Sequence, residues 1–215
     1  MRNVIFSVLF FGFVQSLSAT DGNGENPAKW KIGIIAAGHY STGLYGFHPA
    51  LLPGVQVNRI IGKYELRAGF EHVTTTFNAP SPLLMYYGEG FENRRTLRVG
   101  LQRNISLSSR WSFYTSADLG YRHVYSEFDV AGCFGPLGIS QKRMNGGGMI
   151  TSLGIEFQAS KRISLFAEYR AEAFLYGVHE DFYYNSADIK PTRNKYSMYD
   201  FSFGSIGHVG LSISI

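Results

Sequence analysis

Ten ionisable side chains stand at alternate positions within short segments of this sequence: Glu65, Arg67 and Glu71, then Arg98, Asp118 and Arg122, Glu156, and finally Glu168, Arg170 and Glu172. Neighbouring carboxylates can perform general acid–base chemistry when their environments hold one protonated and leave the other ionised. Six of these ten are acids and four are arginines, however. Acids interleaved with arginines neutralise one another as hydrogen-bonded ion pairs, which is how charge survives away from water. A spacing of two residues puts such side chains on one face of an extended strand. Whether they face a substrate or one another therefore depends on what the strands build.

Other reactive groups are sparse. Cys133 is the only cysteine, so no internal disulfide is available, and no neighbouring base marks it as a nucleophile. Of the 6 histidines, His72 and His123 fall on outward faces of strands that are not neighbours, a poor arrangement for converging on a metal. No metal and no cofactor is expected.

The residues from Met1 to Ala19 read as a cleaved export signal. Arg2 supplies the basic start, Val4 to Val14 the apolar run, and Ser16-Leu17-Ser18-Ala19 the small residues at the cleavage position. That run is shorter than the roughly 20 residues of a spanning helix, and the absence of Cys at the junction argues against lipoprotein processing. Residues 20–28 are a Gly-, Asn- and Pro-rich lead-in, and residues 29–215 are expected to form one domain. Its composition is β-like: 15% aromatic, 25 Gly, and 17% charged. The formal net charge of +4 comes without any basic run, which gives nucleic-acid binding no support.

Eight strands follow from strict alternation. Strand one starts at Lys29 and puts Trp30, Ile32, Ile34 and Ala36 opposite Lys31, Gly33, Ile35 and Ala37. Strand two, about 55–61, carries Arg59 on its apolar face, so a bulge or strand end is expected there. Strand three has Tyr64, Leu66, Ala68, Phe70 and His72 opposite Glu65, Arg67, Gly69 and Glu71, a separation no amphipathic helix produces. Strands four (about 94–104), five (111–125), six (147–159), seven (163–175) and eight (196–215) repeat the pattern. On the last strand Val209, Leu211, Ile213 and Ile215 share one face and His208 lies on the other.

Short turns at Gly62-Lys63, Ser106 to Ser109 and Ser160 to Arg162 alternate with long loops at about 40–53, 78–92, 127–145 and 177–195. That alternation, with strands of ~9–11 residues or more, predicts an all-β fold: an eight-stranded antiparallel up-and-down transmembrane β-barrel, rather than a soluble sandwich with strands of about 5–6. Strand eight should close the barrel against strand one, leaving both termini on the short-turn, periplasmic side. An eight-stranded lumen is only wide enough to be filled by side chains, so the ten charged residues are expected to form a structural ion-pair network with no access route for a substrate. Trp30, Tyr64 and Trp111 would line the short-turn interface and Tyr121, His123 and Tyr125 the loop-side one. Arg59, Lys63, Arg103, Arg110, Lys161 and Arg162 gather at the short-turn rim.

With the strands so placed, the mature chain resembles the small outer-membrane β-barrel proteins of the OmpA/OmpX type, without a peptidoglycan-binding domain. Val209, Leu211, Ile213 and Ile215 look like the assembly signal of a last strand, although such signals more often end in an aromatic. The resemblance implies residence in the outer membrane of a Gram-negative-type bacterium. Its implied partners are outer-membrane lipid and lipopolysaccharide and the barrel-assembly machinery, with a possible surface ligand at the loops. A non-enzymatic structural or surface-interaction role is expected. Two alternatives accompany it. His39-Tyr40-Ser41 matches the His-x-Ser pair of the outer-membrane lipid A deacylases, but it lies early in the chain and no acid between Glu25 and Glu65 could orient the histidine. Tyr86, Tyr87, Phe91, Phe182, Tyr183 and Tyr184 could instead form an aromatic adhesive surface on the loops.

Overall fold

The computed structural model describes residues 30–39, 50–80, 87–132, 135–185 and 189–215. The stretches assigned to the export signal and lead-in, Ser41, Tyr86 and Cys133 lie outside the described residues. Eight strands follow one another: β1 Trp30–His39, β2 Ala50–Ile61, β3 Tyr64–Pro80, β4 Tyr87–Ser106, β5 Trp111–Gly132, β6 Gly135–Gln158, β7 Ile163–Tyr184 and β8 Thr192–Ser214. Each pairs antiparallel with the next, and β8 returns to β1, giving a closed barrel in sequence order. Closure leaves no open sheet edge.

The seam is regular. Ile32 pairs with Ile213, Ile34 with Leu211 and Ala36 with Val209, and Trp30 and Ile215 exchange backbone hydrogen bonds of 2.8 and 3.2 Å. Following the ladder the other way, Ile32 pairs with Val57, and the same row runs through Ala68, Val99, Leu119, Met149 and Ala173 to Phe201. A row that starts at Ile32 thus reaches β8 at Phe201 rather than Ile213. This stagger is what tilts the strands of a barrel.

The short turns form where the sequence places them. Gly62 adopts φ +62°, a left-handed conformation that costs glycine little, and turns β2 into β3. In the other two turns a serine caps the reversal. Ser108 Oγ accepts from the Arg110 and Trp111 amides, and Ser160 Oγ accepts from those of Arg162 and Ile163.

Two expectations are corrected here. No bulge occurs at Arg59, and the strand end, the other expectation there, falls two residues on at Ile61: β2 keeps register with β1 up to Arg59 and with β3 to Ile61, and the Arg59 guanidinium sits 5.6 Å from the Trp30 ring on the outer face. A cation over an aromatic ring at the rim is a stable outward position, so the strand has no reason to break. Register shifts occur instead between Tyr169 and Ala171, where β7 slips against β8, and between Val130 and Ala131, where β5 slips against β6.

Most of the residues assigned to long loops are strand. β5 and β6 stay paired up to Gly132 and Gly135, β7 and β8 up to Phe182 and Thr192, and β3 and β4 up to Pro80 and Tyr87. Phe91, Phe182, Tyr183 and Tyr184 are therefore strand residues. Phe91 packs on Tyr125 at 5.8 Å and Phe182 on Tyr184 at 4.7 Å between ring centroids.

Candidate functional site: the barrel lumen and its outer wall

Alternation sends one residue of each pair inward. The inward set is polar and buried: Gln56, Asn58, Glu65, Arg67, Glu71, Arg98, Gln102, Asp118, Arg122, Glu156, Glu168, Arg170, Glu172 and His208 are all among the least exposed residues. The outward set is apolar and bare: Leu119 is 66% exposed, Ile34 62% and Leu101 55%. This inverts the usual arrangement of a water-soluble domain.

All ten charged residues singled out from the sequence face the lumen, where they form three tiers. Nearest the short turns, Lys31 Nζ reaches Glu65 at 2.7 Å and Glu156 at 3.1 Å. Asn58 and Asn104 also donate to Glu65, at 2.7 and 2.6 Å.

The middle tier holds three arginines and three acids. Arg67 grips Asp118 at 2.6 Å and Glu168 at 2.9 Å. Arg98 contacts Asp118 at 2.8 Å and Glu71 at 3.3 Å. Arg170 contacts Glu71 at 2.7 Å and also pairs with Glu168. Tyr114 donates to Glu168 at 3.2 Å, and Gln56 accepts from Arg98 at 2.6 Å. Each acid has two or more cationic partners, which is how buried charges offset their loss of water.

Arg170 stays in register with Ser152 on β6 and in phase with inward Glu168 and Glu172, and from there reaches Glu71 and His208 beside the point where β8 carries the extra residues of a register shift. The third tier is a single pair: Arg122 meets Glu172 at 2.5 Å, donates to Thr96 at 3.0 Å, and lies 4.1 Å from the centroid of the Phe174 ring.

Above it the lumen turns apolar. Val124, Ile150, Phe174, Tyr176 and Val178 form a buried cluster, with Met144 and Met198 against it. A smaller cluster of Ile35, Val73, Tyr114 and Phe166 lies below, beside the middle tier. Inward glycines make room for these rings. A Cβ at Gly154 would collide with the Tyr114 ring, one at Gly210 with Phe166, and one at Gly120 would come within 2.8 Å of Phe174. Reading the alternation for charge finds the tiers and misses both apolar clusters. It also misses Lys31, which sits two residues before Gly33 on the inward face and carried its own signal.

The remaining candidates separate. His39 is the last residue of β1, and Ser41 lies outside the described residues. His72 bonds Thr74 at 3.3 Å and His123 bonds Asn145 at 2.8 Å, on different strands. Among the described residues no cluster of His, Cys, Asp or Glu could hold a metal ion. On the loop side, Tyr125 donates to Glu127 at 2.6 Å, and that hydrogen bond raises the phenol above its ordinary pKa. The aromatics at the start of the strands, Trp30, Tyr64 and Trp111, lie at the short-turn end, with Tyr64 and Trp111 pointing outward and exposed. Val209, Leu211, Ile213 and Ile215 are likewise exposed on the outer wall.

No protein-family model matches the chain, and no curated protein matches it in sequence. Solved structures do. The N-terminal β-barrel domain of Pseudomonas aeruginosa OprF is 11% identical, with 87% of this chain and 98% of that one covered and a TM-score of 0.45. Acinetobacter baumannii CarO is 10% identical, with 85% and 96% covered and a TM-score of 0.48. Neisserial surface protein A is 14% identical, with 90% and 99% covered and a TM-score of 0.41. These structures are small outer-membrane β-barrel proteins, and what the chain is similar to in them is the fold.

Proposed function

We propose that this chain is a non-enzymatic integral barrel of a bacterial outer membrane. In this reading its lumen is closed to diffusion, its termini and short turns face the periplasm, and its tall loop-side hairpins serve a structural or surface-interaction role. The observation that carries the reading is the inversion of the wall: paired charges inside, and a continuous aliphatic and aromatic surface outside. Such a surface would aggregate in water, whereas it matches a hydrocarbon slab of ~25 Å flanked by aromatic rings. Closure gives each strand a hydrogen-bonded neighbour on both sides, which a bilayer demands. Val209, Leu211, Ile213 and Ile215 would present the last strand to the barrel-assembly machinery.

The tiers support a structural rather than a catalytic role for the carboxylates. Each acid of the middle tier is held by two or more cations, so none is poised to carry a proton to a substrate. The test is heat-modifiable mobility. Unboiled protein from membrane fractions should migrate faster on a gel than boiled protein, and identical mobility would overturn the reading. Release of acyl chains from lipid A, lost on changing His39 or Ser41, would replace it with an enzymatic one.

A further inference from the structure

On the outer wall of β4, β5 and β6 the apolar surface ends abruptly. Ten residues separate Trp111 from Tyr121 on β5, a rise of roughly 33 Å along the strand and about 25 Å along the axis of a tilted barrel. Tyr121 thus marks the upper edge of the apolar band, in the row Leu97, Tyr121, Gly147 and Leu175. The next outward row is Arg95, His123 and Asn145. Arg143 stands one outward step higher on β6, with its guanidinium 5.9 Å from the Tyr125 ring. No carboxylate occurs on the outward face of these three strands between the band and Glu127, which is itself engaged by Tyr125 and Gln141.

The basic row is also built. Asn145 Oδ1 accepts from Tyr121 at 3.0 Å and lies 2.8 Å from His123 Nδ1. An amide oxygen only accepts, so His123 holds its proton on Nδ1 and turns Nε2 outward. Directly below Asn145 the wall is recessed: the nearest atom to a Cβ added at Gly147 is 4.0 Å away, between the exposed side chains of Tyr121 and Leu175. A cationic ledge over an apolar recess is complementary to an amphiphile with an anionic head.

We propose that this wall binds a phosphorylated lipid headgroup of the surrounding leaflet. Arg95 and Arg143 meet the phosphate, and the Gly147 recess takes the first carbons of an acyl chain. The inference rests on the outer-membrane reading above. Juxtamembrane basic residues attract anionic headgroups by about fivefold per side chain, enough to select lipid already confined to the bilayer.

The test uses the full chain folded into phosphatidylcholine nanodiscs, with fluorescent bis-phosphorylated lipid A and its dephosphorylated form as probes. The folded protein should retain the phosphorylated probe selectively. Arg95→Glu with Arg143→Glu should weaken retention tenfold or more, and the uncharged Arg95→Gln and Arg143→Gln several-fold each. Arg103→Glu, on the short-turn rim, should leave it unchanged. Equal retention of both probes, an unaffected double variant, or an equal loss in Arg103→Glu would each overturn the site. Gel mobility of the same samples separates the two levels. A barrel that folds without binding sinks the site alone, and a wild-type chain that never enters the bilayer sinks the outer-membrane reading and the site with it.

Discussion

Two levels of the same lumen are filled by opposite chemistries. In the middle tier Arg67, Arg98 and Arg170 interlock with Glu71, Asp118 and Glu168. Towards the loop side of it, Val124, Ile150, Phe174, Tyr176 and Val178 fill the barrel with hydrocarbon. Both plug the same narrow space, but they fail differently. The charged tier is a set of mutual dependences, because each arginine serves two acids. Removing one leaves two buried acids each with one cationic partner fewer and no water in its place. The apolar tier rests on dispersion and area, which degrade in proportion to the atoms lost. A transmembrane barrel can use ion pairs in place of an oily core because its apolar surface is already satisfied by lipid outside.

Substitutions should expose this asymmetry in the urea midpoint of the barrel folded into phosphatidylcholine vesicles. The largest effect is expected for Arg67→Leu, which strips Asp118 and Glu168 of a shared partner and should cost roughly 3–5 kcal/mol. A loss below 1 kcal/mol would mean that water enters the tier and screens it. Gly154→Val drives a side chain into the Tyr114 ring, which leans on Glu168. About 1–3 kcal/mol of overpacking is expected, and a neutral result would show that the ring is not locked by the carboxylate. Ile150→Val, in the apolar tier, should cost only ~0.5–1.5 kcal/mol.

The smallest effect lies above both tiers and concerns titration. The Glu127 hydrogen bond favours the protonated phenol of Tyr125 and raises its pKa, so the stability this bond contributes is complete below the ordinary tyrosine range and fades as pH rises through the raised value. Glu127→Gln should move the Tyr125 absorbance titration down towards that ordinary range. An unmoved curve would remove Glu127 as the cause.

What the sequence discloses depends on whether lipid is present. β3 and β7 are legible because a membrane on one side and a packed lumen on the other force every residue to choose a face. The pattern weakens above the band. β5 reads clearly to Tyr125 yet continues to Gly132, and β6 begins at Gly135 rather than Gly147. There the outward face has left the apolar band and small polar residues such as Ser126 and Ser140 fill the inward one, so neither face carries an apolar stripe, and Pro, Gly and Tyr imitate loop punctuation. The apolar tier is hidden for the converse reason: Val124 and Val178 lie inward in segments where alternation has ceased to separate apolar from polar. The three-tier pairing itself is not readable, since alternation places Arg170 inward but only the closed ring brings β7 across to β3, where it meets Glu71.

The central claim is that this lumen is shut by its own side chains. The most direct test is the conductance of the folded chain in planar lipid bilayers. Under the proposed closed-lumen reading, wild-type protein should insert without raising conductance above that of the bare membrane. Steady, resolved single-channel steps from the wild-type chain would contradict it.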